Sequence, residues 1–228
     1  MSRGGLPALA ELEIADDPVV WARIGFDVQP SGTLLLGGVT LRLAGRGAGE
    51  GFRSWTLRST DELPSEIDGI TTKSVAAGGR AGALGGDEYW PAAAHPNGAT
   101  ALDHVVVSTP HVARTLRALE AAGMEVRRVR DAGTPQRPLR QAFLWAGDVL
   151  VEVAGPPARE GDGPARLWGL VVVTDSLDLL AGVAGEHVGE SRPAVQPGRE
   201  IATLRRDAGS SVPMAFMTPH ARPSDDVS

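Results

Sequence analysis

The chain has 228 residues, a formal net charge of −6 and no cysteine, which is length enough for a sizeable core in one large domain or a domain with an extension. Lacking thiols, it cannot build disulfides, thiolate metal sites or cysteine nucleophiles, a composition that suits a reducing cytoplasm. Lys73 is the only lysine among basic residues that are otherwise arginine, so the chain offers no broad basic surface to a phosphate backbone, and nucleic acid is excluded as a partner.

The opening MSRGGLPALAELEIADD has no apolar stretch of signal length, and no apolar run approaches the roughly 18 residues that span a bilayer. A soluble, unprocessed cytoplasmic protein is expected. The first predicted strand lies around Ala10 to Ala15. A brief helix follows, opened by Asp16, Asp17 and Pro18 and carrying Val19, Val20 and Trp21. At about two turns it must rely on packing. Strand-like runs come next at Phe26 to Gln29, Thr33 to Leu43 and Phe52 to Arg58, with Pro30-Ser31-Gly32 and Ala44 to Gly51 as turns. From Thr60 to Gly98 regular structure is poorest. Asp61 to Ile67 fits a turn of helix, and the glycine-rich run from Gly78 to Gly86 reads as a linker or mobile loop.

From Ala101 to Pro156 the pattern sharpens into strand, helix and three strands. The alternation of LDHVVV gives way to Ser108 or Thr109 as N-cap and Pro110 in the first turn, with Val112, Leu116 and Leu119 at helical spacing and Gly123 as the stop. Period-two runs follow at Glu125 to Arg130, Leu139 to Trp145 and Asp148 to Ala154, separated by turns at Ala132-Gly133-Thr134-Pro135 and Ala146-Gly147-Asp148. A second copy begins with the strand Leu167 to Thr174. Its helix is capped by Asp175 or Ser176 and closed by Gly185, and its strands fall around Pro193 to Gln196, Glu200 to Arg206 and Ser211 to Met217. The tail from 221 to 228 is polar and frays.

A βαβββ order with His104 on the first strand and Glu152 on the last resembles one module of the vicinal-oxygen-chelate superfamily, which groups glyoxalases, bleomycin-resistance proteins and extradiol dioxygenases. Slightly more than half the chain carries the resemblance. It implies an α+β fold in which paired βαβββ modules at 99–220 form an open, cup-shaped barrel. It also sets apart an additional, shortened N-terminal module at 1–60, a linker or loop at 61–98 and a disordered tail at 221–228. An unpaired module exposes a sheet edge, so a homodimer is the expected assembly.

The same resemblance implies a site. His104 and Glu152 would face the cup and hold a divalent ion such as zinc, iron, manganese or nickel, acting as a Lewis acid on a small-molecule ligand, with Glu152 also the catalytic candidate. Aligning the two copies sets Gly169 opposite His104 and Ala215 opposite Glu152, so two of the expected ligands are missing. Gln141, His95 or Glu11 would have to supply a third donor. Arg140, Gln141, Trp145, Trp168, Gln196 and Arg199 are the further ligand-binding candidates. Trp145, Trp168, Phe143 and Phe216 would give the cup an apolar lining, and Arg128 and Arg140, if inward, would favour an anion. Two functions follow: a metal-dependent lyase or dioxygenase, or a metal-free protein that sequesters a flat or amphipathic compound. A third reading is a structural homologue that has lost its chemistry. Residue by residue there are blander alternatives: a strand histidine hydrogen-bonded to a neighbour, an outward glutamate on a wet sheet face, and a plain turn at Pro197-Gly198.

Overall fold

The computed structural model describes residues 6–77 and 94–220. The glycine-rich run and the tail read from the sequence lie outside the described residues. The described residues form an α+β fold of fourteen strands, arranged in two sheets, and three α-helices.

The first sheet is built by β1 (Ala8–Ile14), β2 (Thr33–Leu36), β3 (Val39–Leu43), β4 (Phe52–Ser59), β5 (Glu66–Ile67) and β6 (Ile70–Ala76), in the order β2-β3-β1-β4-β6-β5. Helix α1 (Pro18–Arg23) follows β1, with Asp17 as N-cap accepting from the Val19 amide. The second sheet holds β7 (Ala99–Ser108), β8 (Val126–Thr134), β9 (Arg137–Ala146), β10 (Val149–Gly155), β11 (Arg166–Thr174), β12 (Arg192–Pro193), β13 (Glu200–Thr203) and β14 (Met214–Met217). Its order is β12-β13-β14-β11-β7-β10-β9-β8. Helices α2 (Val112–Ala121) and α3 (Leu177–Ala184) are the crossovers from β7 to β8 and from β11 to β12.

Within each half of the second sheet the opening strand runs parallel to the closing one, β7 with β10 and β11 with β14, and the halves join through the antiparallel pair β7 and β11. That is the paired βαβββ arrangement read from the sequence, curled into an open cup. The first sheet repeats the plan in reduced form. β1 runs parallel to β3, β4 runs parallel to β6, and β1 and β4 join antiparallel. β4 therefore does not close the shortened module but opens a second one that has no helix among the described residues. The edge of β1 is filled from within the chain, which removes the ground on which a dimer was expected.

Local chemistry explains the other departures. Phe26 to Gln29 is no strand. Gly25, at φ 85°, breaks away from α1, the Phe26 amide returns to the Trp21 carbonyl, and the Gln29 amide closes a turn on Thr33. Asp61 to Ile67 makes no helix. Asp68 (φ 49°) and Gly69 (φ 93°) instead turn a tight hairpin that pairs Ile67 with Ile70, the conformation an Asp-Gly pair favours. Neither Ser108 nor Thr109 caps α2: His111 does, through Nδ1 accepting from the Arg114 amide, while Thr109 Oγ1 accepts from the His111 amide.

The two sheets share one continuous core. Phe26 stacks on Phe216 across them at 5.9 Å between centroids, with His95 edge-on to Phe26. Asp16, fully buried, is the polar rivet: its carboxylate accepts from Trp21 Nε1, Ser210 Oγ and the Ser211 amide, each at 2.9 Å. Among the described residues no helix is long and apolar enough to cross a membrane.

Candidate functional site

Strict alternation along β7 would send Asp103 and His104 to opposite faces. The register slips there, however: Val171 pairs with His104 and Val172 with Leu102, leaving Asp103 as an extra residue in a β-bulge. Such bulges re-aim side chains. Leu102, Val105 and Val107 point into the core, and Asp103 meets His104 side by side, Oδ2 lying 2.7 Å from Nδ1. A carboxylate only accepts, so Nδ1 carries the proton and Nε2 is the atom presented to the cup.

Arg199 holds this pair from behind. Its side chain, 1 % exposed, donates from Nη2 to Asp103 Oδ1 and from Nε to the Thr218 carbonyl, each at 2.6 Å. Burial works against the Asp103 charge, but the hydrogen bonds from His104 and Arg199 outweigh it and hold the carboxyl below its ordinary range. Sequence reasoning offered Arg199 as a ligand contact; the structure makes it an internal anchor. Asp103 went unnamed in the sequence because no pattern there announces a bulge.

Across the strand pair, Glu152 faces the same hollow. Its Oε2 lies 3.7 Å from His104 Nε2, and its Oε1 accepts from Gln141 Nε2 at 2.5 Å. Gln141 in turn accepts from Arg130 Nε at 2.8 Å, and the Arg130 guanidinium sits 5.3 Å over the Phe143 ring. A line of polar contacts thus crosses the cup floor from Arg199 to Arg130. The cavity above it encloses about 700 Å³, within the range of small-molecule sites. Phe143, Trp145, Leu150, Val171, Ile201 and Met217 supply its apolar walls, and the β12–β13 loop with Gln196 forms its rim. Arg128 lines the same cavity without an ion pair among the described residues.

His104, Glu152, Gln141, Trp145 and Gln196 line one cavity together. Arg140 does not join them. It lies on the opposite face of β9, half-buried, where it pairs with Asp131 at 2.8 Å. Trp168 lines a neighbouring hollow beyond Glu152. Phe216 leaves the lining altogether, fully buried against Phe26. His95 is tied up in the core, Nδ1 accepting from the Asp27 amide and Nε2 donating to the Leu35 carbonyl, each at 2.9 Å.

A separation of 3.7 Å would let His104 and Glu152 reach one ion, but catalytic centres use three protein ligands. Gln141 is engaged on both ends of its amide. Gly169 pairs with Val106 and its space is taken by the Pro213 carbonyl, 2.9 Å from where a Cβ would stand; Ala215 brings no donor. Glu11 is ion-paired with Arg42 on the first sheet at 3.2 Å. Among the described residues no three His, Asp or Glu side chains gather to hold an ion, and the guanidinium groups of Arg128 and Arg130 add positive charge at the cup. The residues present do not fit a resident catalytic metal.

Module order, the parallel pairing inside each module and the antiparallel seam between modules are those of the vicinal-oxygen-chelate fold, and this chain carries that fold. A mutant of 4-hydroxymandelate synthase from Streptomyces coelicolor superposes with a TM-score of 0.60 at 14% identity, over 94% of this chain and 93% of that one. A xylose isomerase-like TIM barrel/4-hydroxyphenylpyruvate dioxygenase fusion protein gives 0.60 at 13% identity, over 94% of this chain and 49% of that one. Methylmalonyl-CoA epimerase from Mycobacterium tuberculosis matches 54% of this chain and 91% of its own, at 14% identity and a TM-score of 0.43. No family model and no curated protein matches the sequence. At these identities the likeness speaks for the fold, and function has to be argued from the site.

Proposed function

We propose that the cup of β7 to β14 binds a small organic anion with a flat apolar body, without a resident metal. One observation carries this reading: His104, fixed by Asp103, and Glu152 share the floor of a cavity whose walls are aromatic and aliphatic and whose lining arginines Arg128, Arg130 and Arg192 have no ion pair among the described residues. The apolar walls receive the body of the ligand, Arg128 attracts its negative end, and His104 with Glu152 reads a polar group between them.

Titration of the protein with 3-phenylpropionate tests this, followed through Trp145 fluorescence in buffer with and without chelator. Saturable quenching with a Kd between about 1 μM and 1 mM, the ordinary range for such sites, is expected in both buffers and disappears in Trp145→Phe. Binding that vanishes with chelator, or quenching untouched by Trp145→Phe, overturns the reading. A lyase or dioxygenase reading would need a third metal ligand from a partner chain. Stoichiometric metal in untagged protein, lost in a His104→Ala, Glu152→Ala double variant, is the result that would favour it.

A further inference from the structure

Glu152 belongs to two hollows, not one. Beyond it, at the far end of the same strand faces, a second cavity of about 650 Å³ opens, lined by Val106, Ser108, Leu139, Ala154 and Trp168. Two residues along each strand from His104 and Glu152 the side chains shrink to Val106 and Ala154, with Ser108 two further on along β7, so the sheet surface continues outward as a trough. Trp168 lies in it 48% exposed, a large indole with water on its face. Its lining sets Arg137 against Glu160 and Glu152 itself, whereas the first cavity is lined by Arg127, Arg128, Arg130 and Arg192 against Glu152 alone. A negative end therefore belongs in the first chamber and a neutral, apolar end in the second.

The waist decides the linker. Glu152 Oε1 is taken by Gln141, while Oε2 is 3.7 Å from His104 and free of a hydrogen bond among the described residues. Any ligand that passes this oxygen must offer it an N–H or O–H, because an ether or ester would set lone pairs against a carboxylate. Building on the cup reading above, we propose that the ligand is a two-lobed, N-acylated aromatic carboxylic acid. Its carboxylate lies toward Arg128 and its ring sits against Phe143 and Trp145. Its amide N–H is donated to Glu152 Oε2, and its acyl group is laid on Trp168.

Calorimetric titration of the full chain with N-benzoylphenylalanine, N-acetylphenylalanine, the ester analogue O-benzoyl-phenyllactate and 3-phenylpropionate tests the proposal. N-benzoylphenylalanine should bind at least about tenfold more tightly than N-acetylphenylalanine, the smallest gain expected from burying a phenyl group, and at least about tenfold more tightly than the ester, which lacks the donor. In Trp168→Ala the difference between benzoyl and acetyl compounds should disappear. Ala154→Leu, which fills the second chamber, should abolish it independently. Equal affinity for the benzoyl and acetyl compounds removes the second chamber, and equal affinity for amide and ester removes Glu152 as the waist. If 3-phenylpropionate binds and neither amide does, the cup stands and the trough falls. If none of the compounds binds, both fall.

Discussion

Replacing Arg199 with methionine keeps the length and most of the volume of the side chain and removes one positive charge from a place that water does not reach. Two charge-assisted or carbonyl hydrogen bonds of 2.6 Å disappear, and Asp103, 13% exposed in its side chain, keeps only His104. Breaking one partner of a buried pair costs about 3–5 kcal/mol. The surviving contact with His104 places the expected loss near the lower end, about 3 kcal/mol, which for a chain of this size lowers Tm by about 6–12 °C. The variant still folds, because total stabilities run from about 5 to 15 kcal/mol.

The pH dependence has a definite sign. Asp103 is held below its ordinary range in the folded state, so its contribution is complete above the unfolded carboxyl's value, about 3.9, and is lost as pH falls through the lower folded value. Chemical denaturation of both proteins from pH 7 down to pH 3 should show the gap between wild type and Arg199→Met narrowing at the acid end. Adding Asp103→Leu to Arg199→Met should restore much of the loss, since removing both partners leaves no orphaned charge. A single variant within 1 kcal/mol of wild type at pH 7, or single losses that merely add in the double variant, would refute the anchoring of His104 from behind.

Asp16→Ala orphans the Trp21 indole N–H and the Ser211 amide at the junction of the two sheets, and should cost about 3 kcal/mol in denaturant unfolding. Arg42→Leu strands Glu11, whose side chain is 5% exposed; a loss of about 3 kcal/mol is expected, with Glu11→Leu, Arg42→Leu recovering most of it in a double-mutant cycle. Arg140→Ala, by contrast, removes only an exposed pair with Asp131 and should change stability by less than about 1 kcal/mol and leave titrations with 3-phenylpropionate unaltered.

The C-terminal half was legible because its signals are local. Alternation in LDHVVV, helix stops at Gly123 and Gly185, and the turn at Gly147-Asp148 each set one element, and the order of elements then set the paired modules. What stayed hidden was non-local or depended on a single slipped register. Nothing in ALDHVVVS marks the bulge, yet the bulge turns Asp103 to His104 and decides that Arg199 supports the site without lining it. Phe216 alternates correctly with Ala215 and Met217, but which face is the cup depends on the sheet packed behind. The hairpin at Asp68-Gly69 is the one miss whose signal was present: an Asp-Gly pair between Ile67 and Ile70 is a turn by composition, and reading it would have revealed β5 and β6.

That hairpin matters because it completes an internal comparison. β1 slips against β4 between Leu9 and Glu11 as β7 slips against β11 between Leu102 and His104. Glu11 thus takes the place of His104. Arg42, paired with Glu13, takes that of Glu152, paired with Val106. By the same register Ser54 corresponds to Gly169 and Lys73 to Ala215. One plan has been filled in two opposite ways. In the N-terminal sheet the four positions are paired within the chain, with Glu13, at the place of Val106, as a fifth member: Arg42 binds Glu11, Lys73 and Ser54 bind Glu13, and Lys73's hydrogen bond, against a smaller effect of burial, holds the Glu13 carboxyl below its usual range. In the C-terminal sheet the two positions across the seam are reduced to Gly169 and Ala215, and His104 and Glu152 are left facing open space. Self-pairing makes a strut, because every charge has its partner in the chain. Small residues opposite an acceptor and an imidazole make a site, because the missing partners must come from something that binds.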